Sequence, residues 1–534
     1  MNERGQYRRS PDQTEAWILG SGTASLASAL YLVQFANVPA SKVHILDSHL
    51  SMGQVLHNNG DPIHGYDQFA GCLPVPAGNP LKELLGLVPS VNRLGHSVLD
   101  DIQSAQTGRA NQHKGRTRFL VQKNHVLNDI HTNSLNLNTK HRLELILFML
   151  KSEKRLGRNQ IRDFLPNSFF QSTFWTIWSA QFGFQPWHSA IEFKRALRQH
   201  LSGFHSLSIL SCLDITGYYQ QDSIFLPLFL HLQSLGVDFH FDTTITDIVS
   251  TIRDGQETIS QLRMIQNGFQ MQQKICPDDV VIIAPGSTAS GMTRGTNDHP
   301  PGRHSLEPYD ELDENWAIWL EIGTRNEMLG NPYNFCTRES ESILESFTIT
   351  TSDPGLIEYV DLHTHNDTDG GSIVLLKESP WKLSCCIPTQ PVFIHQPSNV
   401  RIFWGFALFP RRLGEYVQKP MHNCSGAEIT KELLGHLRFV SQPSRTTTIP
   451  RVMPRMTAML LIRSQNDRPQ VIPPNTSNLA LVGDFVEIPH YSCVDTSYAV
   501  RTAQVAVSRL MGLDLLSEQR ESSIFDLFRI LLWK

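Results

Sequence analysis

The residues with the clearest chemical potential lie near the amino terminus: Gly20, Gly22 and Ser25, with Asp47 further on. A dinucleotide diphosphate must approach backbone amides without Cβ atoms in the way, and it gains from the N–H groups and partial positive charge at a helix start. Gly20 and Gly22 permit that approach. Ser25, the third small position, still allows a helix to pack closely on a strand, and Asp47 can accept hydrogen bonds from a ribose. A plain glycine turn has the same residues, so the motif needs a strand before it, a helix after it and an acid closing the next strand. Spacing does not choose between FAD and NAD. Other candidates stand alone: His188, among aromatics, reads as a core histidine with a satisfied nitrogen, and no metal site is expected. The cysteines at 72, 212, 276, 336, 385, 386, 424 and 493 contain no CxxC pair. Cys385-Cys386 fits two buried thiols better than a vicinal disulfide.

The surrounding elements supply the context the motif asks for. Ala16-Trp17-Ile18-Leu19 is an apolar run that stops at the glycine turn, Leu26 to Phe35 is rich in Ala and Leu, and Val43-His44-Ile45-Leu46 closes on Asp47. The expected order is strand, turn, helix, strand. From about 100 to 235 the pattern is mainly helical, with an aromatic cluster at Phe174, Trp175, Trp178 and Phe182 that suits a core. Strand patterns return at Val237 to Ile248, Val280 to Ala284 and Leu479 to Val482, the last two ending at Gly286 and Gly483. Arg294 to Glu314 reads as a long surface loop. Ile524, Phe525, Phe528, Leu531 and Leu532 share one helical face near the carboxyl end.

At 534 residues, the chain needs more than one ordinary core or one large α/β domain with insertions. A net charge of -5 without a long basic run argues against nucleic acid as a partner. The polar first residues lack the apolar centre of a secretory signal. Apolar stretches such as Leu143 to Leu150 fall short of the roughly 18 residues that suggest a spanning helix. A cytoplasmic protein with reduced thiols is expected, with any membrane contact peripheral.

Motifs spread from Trp17 to about Leu510 carry a resemblance. They include Gly20-Ser21-Gly22 with Ala24-Ser25-Leu26-Ala27, Lys140-His141-Arg142, Phe184-Gln185-Pro186-Trp187-His188, Pro285-Gly286-Ser287 with Asp298-His299-Pro300, Gly414-Glu415-Tyr416-Val417, and Tyr498-Ala499-Val500-Arg501-Thr502. In these the chain resembles the oleate hydratase family, also called the myosin-cross-reactive antigen family. The resemblance implies an FAD-binding Rossmann-like (GR2-type) α/β domain with an inserted substrate domain and a helical C-terminal appendage. It implies hydro-lyase chemistry without net oxidation, water adding across the double bond of an unsaturated fatty acid. It implies an FAD pocket of Gly20, Ser21, Gly22, Thr23, Ala24, Ser25, Asp47, Gly53, Gly286, Gly483 and Asp484. Family members also contact membranes peripherally and form dimers; the stripe from Ile524 suits either a bilayer surface or a sister subunit. The expected division is a polar tail (1–15), FAD-binding segments (16–100, 236–300, 476–511), a helical cap region (101–235), a β-rich substrate region (301–475) and an amphipathic end (512–534).

The chemical half departs from the family pattern. Where the family has Arg-Gly-Gly-Arg-Glu-Met, a gapless reading from Asp61-Pro62 to Pro89-Ser90 places Cys72 and Leu73 at the second arginine and the glutamate. Where a second tyrosine is expected to protonate the alkene, the chain has Gln221, and the family's polar carboxylate ligands become Cys386, Pro388 and Val392. Hydration needs a proton donor at one carbon and an activated water at the other. If residues 218 to 223 are extended, Tyr219 shares a side with Gln221 and replaces the missing phenol. Asp67, in the loop of Leu73, is the preferred base over Asp222. The more apolar pocket end points to a diverged substrate, a fatty acyl or polyene chain that is hydrated or isomerised. A flavin oxidoreductase acting on a lipid-like substrate and a non-catalytic lipid-binding flavoprotein are the alternatives, separated by flavin bleaching and by unchanged substrate mass.

Overall fold

Ala16–Leu19 forms β1, buried along its whole length. It runs parallel to Val43–Leu46 (β2) on one side and Val280–Ile283 (β13) on the other, with Ile18 opposite both Ile45 and Ile282. Leu479–Leu481 (β20) and Asp238–His240 (β9) complete a five-stranded parallel sheet in the order β20-β13-β1-β2-β9. Its central strands β1 and β13 are continuously apolar because both faces are covered, as parallel sheets require, while β2 carries His44. One cover is Thr23–Gln34 (α1), whose Ala24, Leu26, Ala27, Ala29 and Leu30 are buried and which packs on Thr496–Met511 (α10). The structure is a computed structural model that describes residues 9–49, 60–67, 75–76, 79–104, 118–124, 126–129, 135–200, 213–214, 219–253, 255–302, 312–364, 372–388, 390–441, 443–494 and 496–515.

A second sheet of eight strands has the order β14-β19-β15-β18-β17-β16-β6-β7. These are Thr293–Arg294 (β14), Thr446–Met453 (β19), Leu344–Thr351 (β15), Arg401–Ala407 (β18), Leu383–Ile387 (β17), Ser372–Leu376 (β16), Arg118–Lys123 (β6) and Val126–Asp129 (β7). Register separates its faces, since paired residues share a side. Phe347, Ile349, Val374, Cys385 and Phe403 pack outward beneath Pro354–Thr364 (α8) and Gly426–Leu437 (α9). The inner face presents Cys386, Ile402, Trp404 and Phe406, and most of it joins the main core with the aromatic helix Thr173–Phe182 (α4). An antiparallel ribbon, Thr243–Arg253 (β10), Gln256–Gln266 (β11) and Phe269–Lys274 (β12), follows β9. Two small antiparallel two-stranded sheets remain: the hairpin of Gly60–Asp61 (β3) with Gly65–Tyr66 (β4), and the long-range pair of Val75–Pro76 (β5) with Leu213–Asp214 (β8).

The mainly helical region 101–235 also carries β6 and β7, which pair into the second sheet, β6 parallel to β16. One expectation is corrected by the backbone. The stretch from Gln220 is helical, with a π turn at Gln221–Phe225 leading into Leu226–Leu235 (α6). Residues two apart on a helix point to different sides. Tyr219 and Gln221 therefore do not share a side as an extended chain would have it. Cys385 and Cys386 are free, buried thiols, with Cys386 pushed up to about 12 by burial. Among the described residues no helix is long and apolar enough to cross a membrane. The stripe from Ile524, together with Gly53, Cys72 and Leu73, lies outside the described residues.

Candidate functional site

The glycine turn sits at the carboxyl end of β1, beside β13, in the middle of the parallel sheet. Gly20 has φ +97°, a conformation that glycine adopts without strain, and its N–H donates to Leu46 O at 2.8 Å. Gly22 is the N-cap of α1 and carries no side-chain cap, so the first amides of the helix are left for an anion. A Cβ built on Gly22 meets nothing within 4 Å, nor does one on Gly483, which follows β20 and has φ +107°. Ser25 Oγ is buried with no hydrogen-bond partner. Open space over two glycines, uncapped amides and an orphaned hydroxyl in one crevice fit a dinucleotide, and Thr23 and Ala24 belong to the same first turn.

The rim of this crevice is acidic. Asp47 follows β2; burial pushes its carboxyl up, but hydrogen bonds from His49 and Ser21 outweigh that and hold it below its ordinary value. His49 supplies both its N–H, at 2.8 Å, and its Nδ1, at 2.5 Å. Glu314 begins the helix Glu314–Arg325 (α7) and accepts from Ser48 N at 3.1 Å. Burial, and then the charge of Asp47, push Glu314 up to about 7. Gly286 has φ +70° and donates its N–H to Asn315 O at 3.3 Å, where Phe485 and Trp316 leave no room for a side chain. Burial raises Asp484 to about 6. A buried acid that gains its proton near neutrality can donate to a hydroxyl as well as accept from one.

A second group of residues gathers on the inner face of the eight-stranded sheet. Tyr66 is tied to β15 by its N–H, which donates to Thr350 Oγ1 at 2.8 Å. Its ring stacks on Phe393 at 4.8 Å, and Phe393 meets Tyr219 edge-on at 5.6 Å. Val392, Val400 and Ile402 close the cluster. Tyr219 is held there by its backbone, donating N–H to Val392 O at 2.7 Å. Asp67 follows Tyr66 and is itself buried, paired with Arg451 of β19 and with Arg294 Nε at 3.1 Å. Both contacts fall on Oδ2. Thus Tyr219 belongs to the aromatic cluster and Asp67 adjoins it in sequence through Tyr66, while Asp222 lies in the π turn.

Cys386, Ile387 and Val392 are buried apolar residues. Gln390 and Gln396 are committed to neighbouring backbone: Gln390 Nε2 donates to Ile402 O at 2.9 Å, and Gln396 Oε1 accepts from Val392 N at 2.7 Å. Further along the inner face, a cavity of about 270 Å³ has walls of Trp175, Leu375 and Leu408 and cations at Lys377, Lys382 and Arg412. Apolar walls with a basic rim suit an amphiphile with an anionic end. His188 is a satisfied core residue: Nδ1 accepts from Gln185 N at 3.0 Å, Nε2 lies 3.1 Å from Glu341 O, and burial lowers its pKa to about 4. Sequence reasoning missed Tyr66, Phe393, Arg294 and Arg451. Only the Gly65-Tyr66 pair preceding Asp67 offered a local signal; the arginines meet Asp67 through sheet register alone.

A family model described as the MCRA family matches residues 13–508. An oleate hydratase from Streptococcus pyogenes serotype M49 (strain NZ131) is 29% identical over 97% of the chain and 89% of its own length. A linoleate hydratase from Lactiplantibacillus plantarum is 26% identical, covering 94% of each chain. An oxidoreductase structure from Methanosarcina mazei overlaps 92% of the chain and 99% of its own, at 11% identity and a TM-score of 0.48.

Proposed function

The chain belongs to the MCRA family, and on that premise we propose that it binds FAD and adds water across, or shifts, a double bond of an unsaturated fatty acyl or related apolar chain. The relatives named for oleate and linoleate hydration support the reaction class. The crevice of Gly20, Ser21, Gly22, Thr23, Ala24, Ser25, Asp47, Gly286, Gly483 and Asp484 supports the cofactor. Bound FAD would contribute a planar wall and a fixed electrostatic environment rather than net oxidation.

The observation that carries the chemistry is the Tyr66-Phe393-Tyr219 cluster, with Asp67 next to Tyr66 in the chain and held by Arg451 and Arg294. Tyr219 gives its phenolic proton to one alkene carbon. A water oxygen bonds to the other carbon, and the proton released goes to Asp67, which returns it through solvent to the phenolate. One water is consumed and no electrons are transferred. Because both arginines hold Asp67 through Oδ2, Oδ1 is the oxygen that orients the water. Cys386 and Val392, both buried, and the half-buried Pro388 stand where the resemblance places polar ligands; they favour a substrate segment without a carboxylate at that end, a substrate diverged from oleate.

The test is incubation of the purified, FAD-loaded chain with a panel of unsaturated acids, read by mass spectrometry. A product heavier by one water supports hydration, and an isomer of unchanged mass supports double-bond migration. Loss of two hydrogens with flavin bleaching would replace the proposal with an oxidoreductase, and substrate that binds unaltered would replace it with a carrier.

A further inference from the structure

Beside the glycine-turn crevice but outside the residues assigned to it, three ligand-bearing side chains converge at the edge of the parallel sheet. His44 lies on β2, and Asp238 and His240 lie on β9, where residues two apart share a face. The register sets His44 opposite Asp238 and Leu46 opposite His240. His44 Nδ1 is 3.0 Å from Asp238 Oδ2, His240 Nε2 is 2.8 Å from the same oxygen, and the two ring nitrogens are 3.4 Å apart. Ligands around a tetrahedral ion with bonds of 2.0–2.1 Å are separated by about 3.3 Å, so the triad already has near-ligand spacing.

The surroundings hold the triad in place. Trp17 of β1 stacks on the His44 ring at 4.2 Å, fixing its plane. Gln266, at the end of β11, places its side-chain amide 3.1 Å from His240 Nδ1. With the amide turned so that its carbonyl oxygen accepts from Nδ1–H, the Nε2 lone pair points at the other two groups, the outer-sphere arrangement that orients metal-bound imidazoles. His44 is mostly buried, while the Asp238 side chain is 47% exposed, which leaves an entry path and room for a water as fourth ligand.

We propose that His44, Asp238 and His240 form a binding site for a divalent transition metal ion of the zinc or cobalt(II) type. Two imidazoles and one carboxylate favour these ions over magnesium or calcium, which take oxygen ligands. The proposed ligands come from strands 194 residues apart, so no local spacing in the sequence announces them. The ion braces the edge strand at a sensitive point: Asp47 N donates to His240 O at 3.0 Å, and Thr243 N donates to Asp47 O at 3.0 Å. It thereby supports the backbone that positions Asp47.

The full-length, tag-free, FAD-loaded chain is stripped with chelator and titrated with Zn2+ by calorimetry and with Co2+ by visible absorption. The expected result is one equivalent per chain, an intense tetrahedral Co2+ spectrum and a Zn2+-dependent rise in Tm. Asp238→Asn and His240→Gln should each weaken Zn2+ binding at least about tenfold and abolish the Tm rise. Circular dichroism of both variants checks that they remain folded, which their partial exposure favours. A parent that binds neither ion, or folded variants that bind Zn2+ as tightly as the parent, would overturn the site and leave a metal-free hydrogen-bonded triad.

Discussion

At the residue scale, chemistry depends on which groups the fold holds in place. Tyr219 is held through its backbone, its N–H donating to Val392 O and its carbonyl accepting from Ser223 N, with its ring in the Phe393 cluster. Tyr219→Phe keeps the ring packing against Phe393 and removes the phenolic proton. Turnover on the true substrate is expected to fall by at least about a hundredfold, the lower range for losing a general acid, with FAD affinity unchanged in a parallel titration; full activity would eliminate the phenol. Glu314 carries a different prediction. Its folded pKa of about 7 exceeds the ordinary 4.5, so its contribution to stability is complete below about 4.5 and disappears as pH rises through about 7. At a fixed FAD concentration, the parent should lose Tm relative to Glu314→Gln between about pH 5 and pH 8. Parallel curves would show that the carboxyl is not held protonated.

At the element scale, the glycine turn and the helix caps separate binding from folding. Gly22 has φ -69°, ordinary for any residue, and its missing Cβ faces open space. Gly22→Val should therefore melt within about 1 kcal/mol of the parent without FAD, a surface-like cost, yet bind FAD at least about tenfold more weakly because the branched side chain fills the diphosphate approach. A fluorescence titration of FAD measures it, and undiminished affinity would move the cofactor elsewhere. The helix α9 offers a purely structural contrast. Ser425 and Glu428 form a capping box, so Ser425→Ala should cost about 1 kcal/mol in thermal unfolding. At Gly426 a Cβ would lie 1.8 Å from Thr448 O, so Gly426→Ala is expected to destabilise far more than the cap mutant.

At the scale of the whole molecule, interleaving couples the ends of the chain. The parallel sheet collects strands from Ala16 to Leu481, and the second sheet is built from segments between Arg118 and Met453. Neither sheet forms without closing loops through the other, a cost in chain entropy met only when both assemble. FAD at about a hundred times its dissociation constant should stabilise the folded state by about 2.7 kcal/mol. Monitored by flavin fluorescence and by circular dichroism, the melt should shift as one transition; a shift confined to the flavin signal would mean that the sheets unfold independently.

Local patterning determined the crossover β1-α1-β2, the glycine turn and Asp47, because strand period, helix start and turn chemistry are written within a few neighbours. It also located the apolar strands β13 and β20, whose burial on both faces leaves an uninterrupted hydrophobic run. What tertiary structure alone decided are meetings across register: Asp67 with Arg451 and Arg294, Tyr219 with Phe393 and Tyr66, and His44 with Asp238 and His240. The helical state of Gln220 onward was likewise settled by its continuation into α6 rather than by its own polar residues. Such contacts depend on which strands become neighbours, a consequence of long-range packing that no short window of sequence contains.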